Sequence, residues 1–165
     1  MKNHTSKLLF LFLTLFIGAT ATFAQEDKSE IIGSWSDSSV GMINYENRTT
    51  GALKNGRGSS FTYKFNGNGT FEYIGYMEVT TYNCTTTLFN HKTGKYVIDG
   101  SSVTLKPAKD HWKNTNSCAA SSNSEKDKTP VVETMEWQAR ENDNGKMELV
   151  LDKGKGAMVF RRDEK

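Results

Sequence analysis

Hydrophobic and polar residues alternate along most of this chain. Phe61, Tyr63 and Phe65 fall on one side of an extended segment, and Thr62, Lys64 and Asn66 on the other. A two-residue period puts the two sets on opposite faces of a β-strand. Asn66-Gly67-Asn68-Gly69 follows and supplies the positive-φ residues of a tight hairpin. The return strand begins at Thr70 and runs through Phe71, Tyr73, Met77 and Val79. A further strand is predicted over Cys84 to Phe89. Tyr96 and Ile98 lead to the turn Asp99-Gly100, and Val103 and Leu105 form the next strand, which Pro107 is expected to end. Met135, Trp137 and Ala139 then alternate with Glu136, Gln138 and Arg140. Asn142 to Gly145 turns the chain, Met147, Leu149 and Leu151 continue it, and Lys153 to Gly156 turns it again before Met158, Phe160 and Arg162. With a strand at Trp35, this predicts eight or nine short antiparallel strands. The only helix expected after Ala24 is one turn over residues 26–32. The fold class is all-β, an antiparallel meander forming a barrel or a sandwich.

Three segments break the pattern. Residues 36–60 and 107–130 are polar, with Gly in the first and Lys, Asn and Ser in the second, and both read as long loops. The third is the N-terminus. Lys2 and Lys7 precede an apolar run from Leu8 to Ala19, and small residues lead to Ala24. This is the layout of a cleavable signal peptide over residues 1–24, leaving one domain over 25–165. The apolar run is too short to span a bilayer stably, so no integral membrane span is expected after its removal.

Removing the signal changes the charge. The 165 residues carry 21 Lys and Arg against 19 Asp and Glu. Without Lys2 and Lys7 the two classes are equal, which argues against a protein that grips nucleic acid through its phosphates. The removal also takes Phe10, Phe12, Phe16 and Phe23 out of nine phenylalanines. Tyrosine, tryptophan and methionine must therefore supply much of the interior.

Cys84 and Cys118 are the only cysteines. An even count in an exported domain points to one disulfide. A metal pair would need more soft ligands nearby, and a redox pair would normally be closer in sequence. No cysteine follows the cleavage site, so the expected location is secreted or periplasmic without a lipid anchor.

Three features together resemble the lipocalin-like (calycin) small barrels, in particular their exported bacterial members. They are Ile32-Gly33-Ser34-Trp35, matching the Gly-x-Trp of the first strand; the hairpin from Tyr63 to Phe71 with Gly94 to Gly100 and Val103 to Leu105; and the closing Met158-Val159-Phe160-Arg161-Arg162. The resemblance implies a closed barrel of about eight strands. It also implies structural roles for Gly33 and for Trp35, which plugs the closed end. A terminal arginine would pack over the indole. Arg162 is the better partner because it shares a face with Phe160; Arg161 is the second choice.

An eight-stranded barrel either fills its interior or holds one small ligand. The alternation nominates Tyr63, Phe65, Phe71, Tyr73, Met77, Tyr96, Met135, Trp137, Leu149 and Met158 as interior residues, lining a cavity or simply forming the core. His91 and His111 read as solvated loop residues with no metal-ligand spacing, and no cofactor is implied. The acids Glu72, Glu78, Glu133, Glu136 and Glu148 mostly take outward positions, and no catalytic motif appears. The expected function is therefore non-catalytic: a monomer binding a small, mainly apolar molecule inside the barrel. The rival reading is a protein-interaction or inhibitor module acting through loops 36–60 and 107–130.

Overall fold

The computed structural model describes residues 28–38 and 58–163. Its strands are β1 (Gly33–Ser38), β2 (Gly58–Phe65), β3 (Thr70–Thr81), β4 (Cys84–Asp99), β5 (Ser102–Asn116), β6 (Ser124–Asp127), β7 (Glu133–Glu141), β8 (Met147–Asp152) and β9 (Ala157–Arg162). All pairings are antiparallel. Eight strands close into a barrel in the order β1-β2-β3-β4-β5-β7-β8-β9, with β9 returning to β1. β6 lies outside this ring, against the far half of β5. The signal segment 1–24, the segment 39–57 and residues 26 and 27 of the anticipated helical turn lie outside the described residues. Lys28 to Ile31 form a turn in which the Ile32 N–H donates to Ser29 O at 3.1 Å.

The alternation becomes the two surfaces of the barrel wall. Tyr63 and Phe65 are buried while Lys64 is exposed; Met135 and Trp137 are buried while Glu136 and Gln138 are exposed. The β2–β3 hairpin reverses through Gly69 at φ 78, a conformation that penalises any residue with a Cβ. The Asn66 N–H donates to Thr70 O at 2.9 Å and the Gly69 N–H to Asn66 O at 3.0 Å. Between the walls sits one apolar core, with Trp35, Phe65, Phe71, Val103, Leu149, Leu151 and Phe160 almost inaccessible to water. Each large side chain so buried contributes about 1.5–3 kcal/mol. The rings interlock: Tyr63 meets Phe160 edge-on at 5.3 Å between centroids, and Phe65 meets Tyr96 at 5.1 Å. Two polar tips that reach the core find partners. Trp137 Nε1 donates to Gly100 O at 3.1 Å and the Tyr96 hydroxyl to Asn66 O at 3.0 Å.

The strands differ greatly in length. β3, β4 and β5 have 12, 16 and 15 residues, whereas β1, β8 and β9 have six each. The long strands rise past the barrel as a ribbon, and the Cys84–Cys118 disulfide joins its far end.

This ribbon corrects three expectations. Pro107 does not end its strand, and residues 107–130 are not one loop. β5 runs through Pro107 to Asn116, a single 3-10 turn follows at Ala120–Ser122, and β6 pairs back onto β5. The register shifts beside Thr93 and Gly94, leaving Ala108 unpaired. The shift depends on a close approach: a Cβ on Gly94 would lie 2.2 Å from Lys106 O and 2.7 Å from Pro107 Cα. Cys84 to Asp99 is likewise one continuous strand, not two.

Candidate functional site

The barrel's two ends are built differently. At one end Trp35 is fully buried, and its Nε1 donates to Ile31 O at 2.7 Å. The Arg162 guanidinium lies 5.1 Å from the Trp35 ring centroid and donates through Nη2 to Ile32 O at 2.9 Å. Trp35 and Arg162 are direct partners on neighbouring strands, with Gly33 beneath the guanidinium. Arg161 pairs with Ser36 and is exposed. These contacts hold the end shut.

Towards the other end the interior turns polar. Tyr73, Asn90, Lys92, Asp110 and Glu133 share the inward register of their strands above Tyr63. Lys92 and Lys153 both hydrogen-bond to Glu133, one to each carboxylate oxygen. Lys92 Nζ is also 4.0 Å from Asp110 Oδ2, and Asn90 Nδ2 donates to Asp110 Oδ1 at 2.7 Å and His111 O at 3.0 Å. The Lys92 ammonium stands 5.9 Å from the Tyr73 ring centroid. Two cations and two carboxylates thus form a charge-balanced layer.

Its electrostatics follow from position. Burial pushes Glu133 up, but the hydrogen bonds and charges of Lys153 and Lys92 outweigh it and hold the carboxyl below its usual range. Burial, then the negative charges of Glu133 and Asp110, pushes the Tyr73 hydroxyl up to about 12. Tyr63 is raised as well, by burial first and then by Tyr73 and Glu133. Both phenols are therefore neutral at ordinary pH and can donate a hydrogen bond. Tyr73 fits because Gly75 lacks a side chain; a Cβ there would meet the Tyr73 hydroxyl at 2.7 Å.

Of the ten residues nominated as interior, Tyr63, Phe65, Phe71, Met135, Trp137 and Leu149 are buried, and Tyr73 and Tyr96 half-buried against the core. Met77 and Met158 are corrections. Both hold the inward register but are 41% and 37% exposed, because they stand towards the barrel end away from Trp35, beyond the packed core. The two histidines are corrected also. His91 on β4 and His111 on β5 are direct cross-strand partners, not loop residues. His91 Nε2 lies 2.8 Å from Glu72 Oε1, and His111 Nδ1 lies 2.9 Å from Asp127 Oδ1.

Glu133 is a correction as well: grouped in the sequence with the mostly outward acids, it points inward, as its even spacing from Met135 and Trp137 requires. Lys92 carries the same signal, two and three pairs away from Tyr96 and Ile98. Asp110 carries none, because the unpaired Ala108 reverses the alternation of β5.

A groove of about 490 Å³ runs over the outside where β5 leaves β7 for β6, bordered by His91, Thr93, His111, Asp127 and Pro130 and reaching Asp110 of the inner layer. Among the described residues, no three His, Cys, Asp or Glu side chains are placed to hold a metal ion together. No described helix is long and apolar enough to cross a membrane. Comparison with protein-family models and with curated proteins finds no match.

Proposed function

We propose that this protein is an exported, lipocalin-like barrel that binds a small, mainly apolar molecule without transforming it. The observation that carries the reading is the graded interior: an apolar core crowned, towards the end away from Trp35, by the layer of Lys92, Asp110, Glu133 and Lys153 beside Tyr73. Charges inside a barrel contribute little net stability, because desolvation offsets their attraction. They are well suited to orienting a ligand's polar end while Met77 and Met158 at the rim meet its apolar body. Because the charges of the layer balance among the described residues, a ligand with a neutral hydrogen-bonding end, such as an alcohol or a ketone, fits this layer better than a carboxylate, which would need a further cation.

Thermal-shift titration with retinol, a long-chain alcohol, the matching fatty acid and haem tests this. A ligand at one hundred times its Kd stabilises by about 2.7 kcal/mol, a rise of several degrees at this size. The neutral ligands should give that rise, saturating at one per chain, and Lys92→Met should weaken it. A panel without any saturable rise would remove the proposal; preference for the fatty acid would overturn only the ligand's end group.

A further inference from the structure

The ribbon beyond the barrel has a composition unlike the rest of the chain. Residues 79–90 and 114–124 contain no Asp, Glu, Lys or Arg, in a protein with 24% charged residues. The fold brings these two stretches together across β3, β4 and β5. Thr, Ser and Asn take the place of the charges, and several are linked across strands. Thr80 and Thr85 hydroxyls are 3.0 Å apart, and Asn116 Nδ2 donates to Thr86 Oγ1 at 3.0 Å.

At the tip, the turn 81–83 and the segment 117–124 flank the Cys84–Cys118 disulfide, and every residue of both is exposed. The tip is nevertheless firmly held. Besides the disulfide, Asn116 Oδ1 accepts from the N–H groups of Cys118 and Ala119 at 2.9 and 3.0 Å. Asn123 Oδ1 accepts from the Asn116 N–H at 2.6 Å, and Ser117 Oγ from the Thr85 N–H at 2.9 Å.

Tyr82 occupies this tip. It is 95% exposed and sits at φ 48, followed by Asn83 at φ 64. Glycine or asparagine is the natural choice in such a turn, and an aromatic side chain there carries a steric cost. The ring gains no burial in return.

We infer that the ribbon tip is a recognition site for a neutral glycan, with a sugar ring stacked on Tyr82 and its hydroxyls bonded by the surrounding side chains. Among the described residues the tip carries no charged side chain, so it offers nothing to phosphate or to an acidic polymer. It does offer what a sugar needs. The flat aromatic face matches the C–H face of a pyranose, and hydroxyl and amide groups both donate and accept. Tyrosine among Ser and Asn is also a combination that binds at low entropic cost, and a rigid tip lowers that cost further. A protein partner would call for more apolar anchors than Val79, 52% exposed at the edge of the patch, with Ala119 and Ala120. The site is independent of the barrel interior.

Affinity electrophoresis of the purified protein through gels containing amylose, mannan, a mixed β-glucan, alginate or heparin tests the inference. Retardation is expected in at least one neutral gel and should persist in 0.5 M NaCl. Tyr82→Ala should weaken it at least tenfold, and Tyr82→Trp should preserve it. Tyr82→Ala should leave the melting temperature and any ligand shift of the barrel unchanged. No retardation in any neutral gel, retardation equal in Tyr82→Ala, or retardation confined to alginate and heparin would each overturn it.

Discussion

One carboxylate, Glu133, receives two lysines, and this single residue makes stability depend on acidity. Its folded pKa lies below its ordinary value of 4.5, so the unfolded chain takes up the proton first as pH falls. The stabilisation is fully present above pH 4.5 and is lost as pH drops through the folded value. Urea unfolding between pH 6 and pH 3 should show stability declining below pH 4.5. Glu133→Gln should be less stable at neutral pH and lose less in acid. An identical acid slope in the variant would assign the pH dependence to other groups. The tyrosines act at the opposite extreme. Tyr73, pushed up to about 12, resists ionisation in the folded state, so its contribution is present below pH 10 and disappears as pH rises towards 12.

Among the elements, the ribbon is the one least supported by the core. The buried apolar residues belong to the barrel, whereas the upper parts of β3, β4 and β5 are held by their ladders and by Cys84–Cys118. Elements with few buried contacts open first. Replacing both cysteines by serine should therefore raise amide exchange at Thr85–Thr87 and Thr115–Ser117 by about tenfold or more, while Tyr63, Phe71 and Leu149 keep their protection. A uniform loss would show that ribbon and barrel unfold together.

The same division separates what sequence alone revealed from what it concealed. The barrel strands and the hairpins at Asn66–Gly69 and Asn142–Gly145 were legible because one face meets a core and the other meets water. β4 looked interrupted because Asn90 and Lys92, though inward, are polar. β5 seemed to stop at Pro107 because proline lacks a ladder donor, and only the bulge beside Gly94 accommodates it. The polar layer was obscured for a related reason: alternation identifies a buried face through apolar residues, and here the inward residues are charged.

For the whole molecule, closure is the critical event. Among the described residues, β1 and β9 meet over two ladder pairs, Trp35 with Arg162 and Ser36 with Arg161, extended by the Asp163 N–H, which donates to Ser34 O at 2.9 Å. The seam is short, so the packing of Trp35 between the Ile31 turn and Arg162 carries much of the closure. Trp35→Ala should cost about 3–5 kcal/mol, read as a lower urea midpoint. Arg162→Met should cost less, about 1 kcal/mol, because the guanidinium keeps one side in water. Equal costs would place the weight of closure on the arginine.

The antiparallel seam also sets the response to mechanical force. The start of β1 lies beside the end of β9, so tension applied at Gly33 and Arg162 peels the two strands apart one contact at a time, with no row of bonds loaded together. As the barrel unravels, the extension halts at the crosslinked cysteines, 34 residues apart, which withhold about 110 Å of chain contour. Under load the protein is a zipper that opens easily and carries a locked segment.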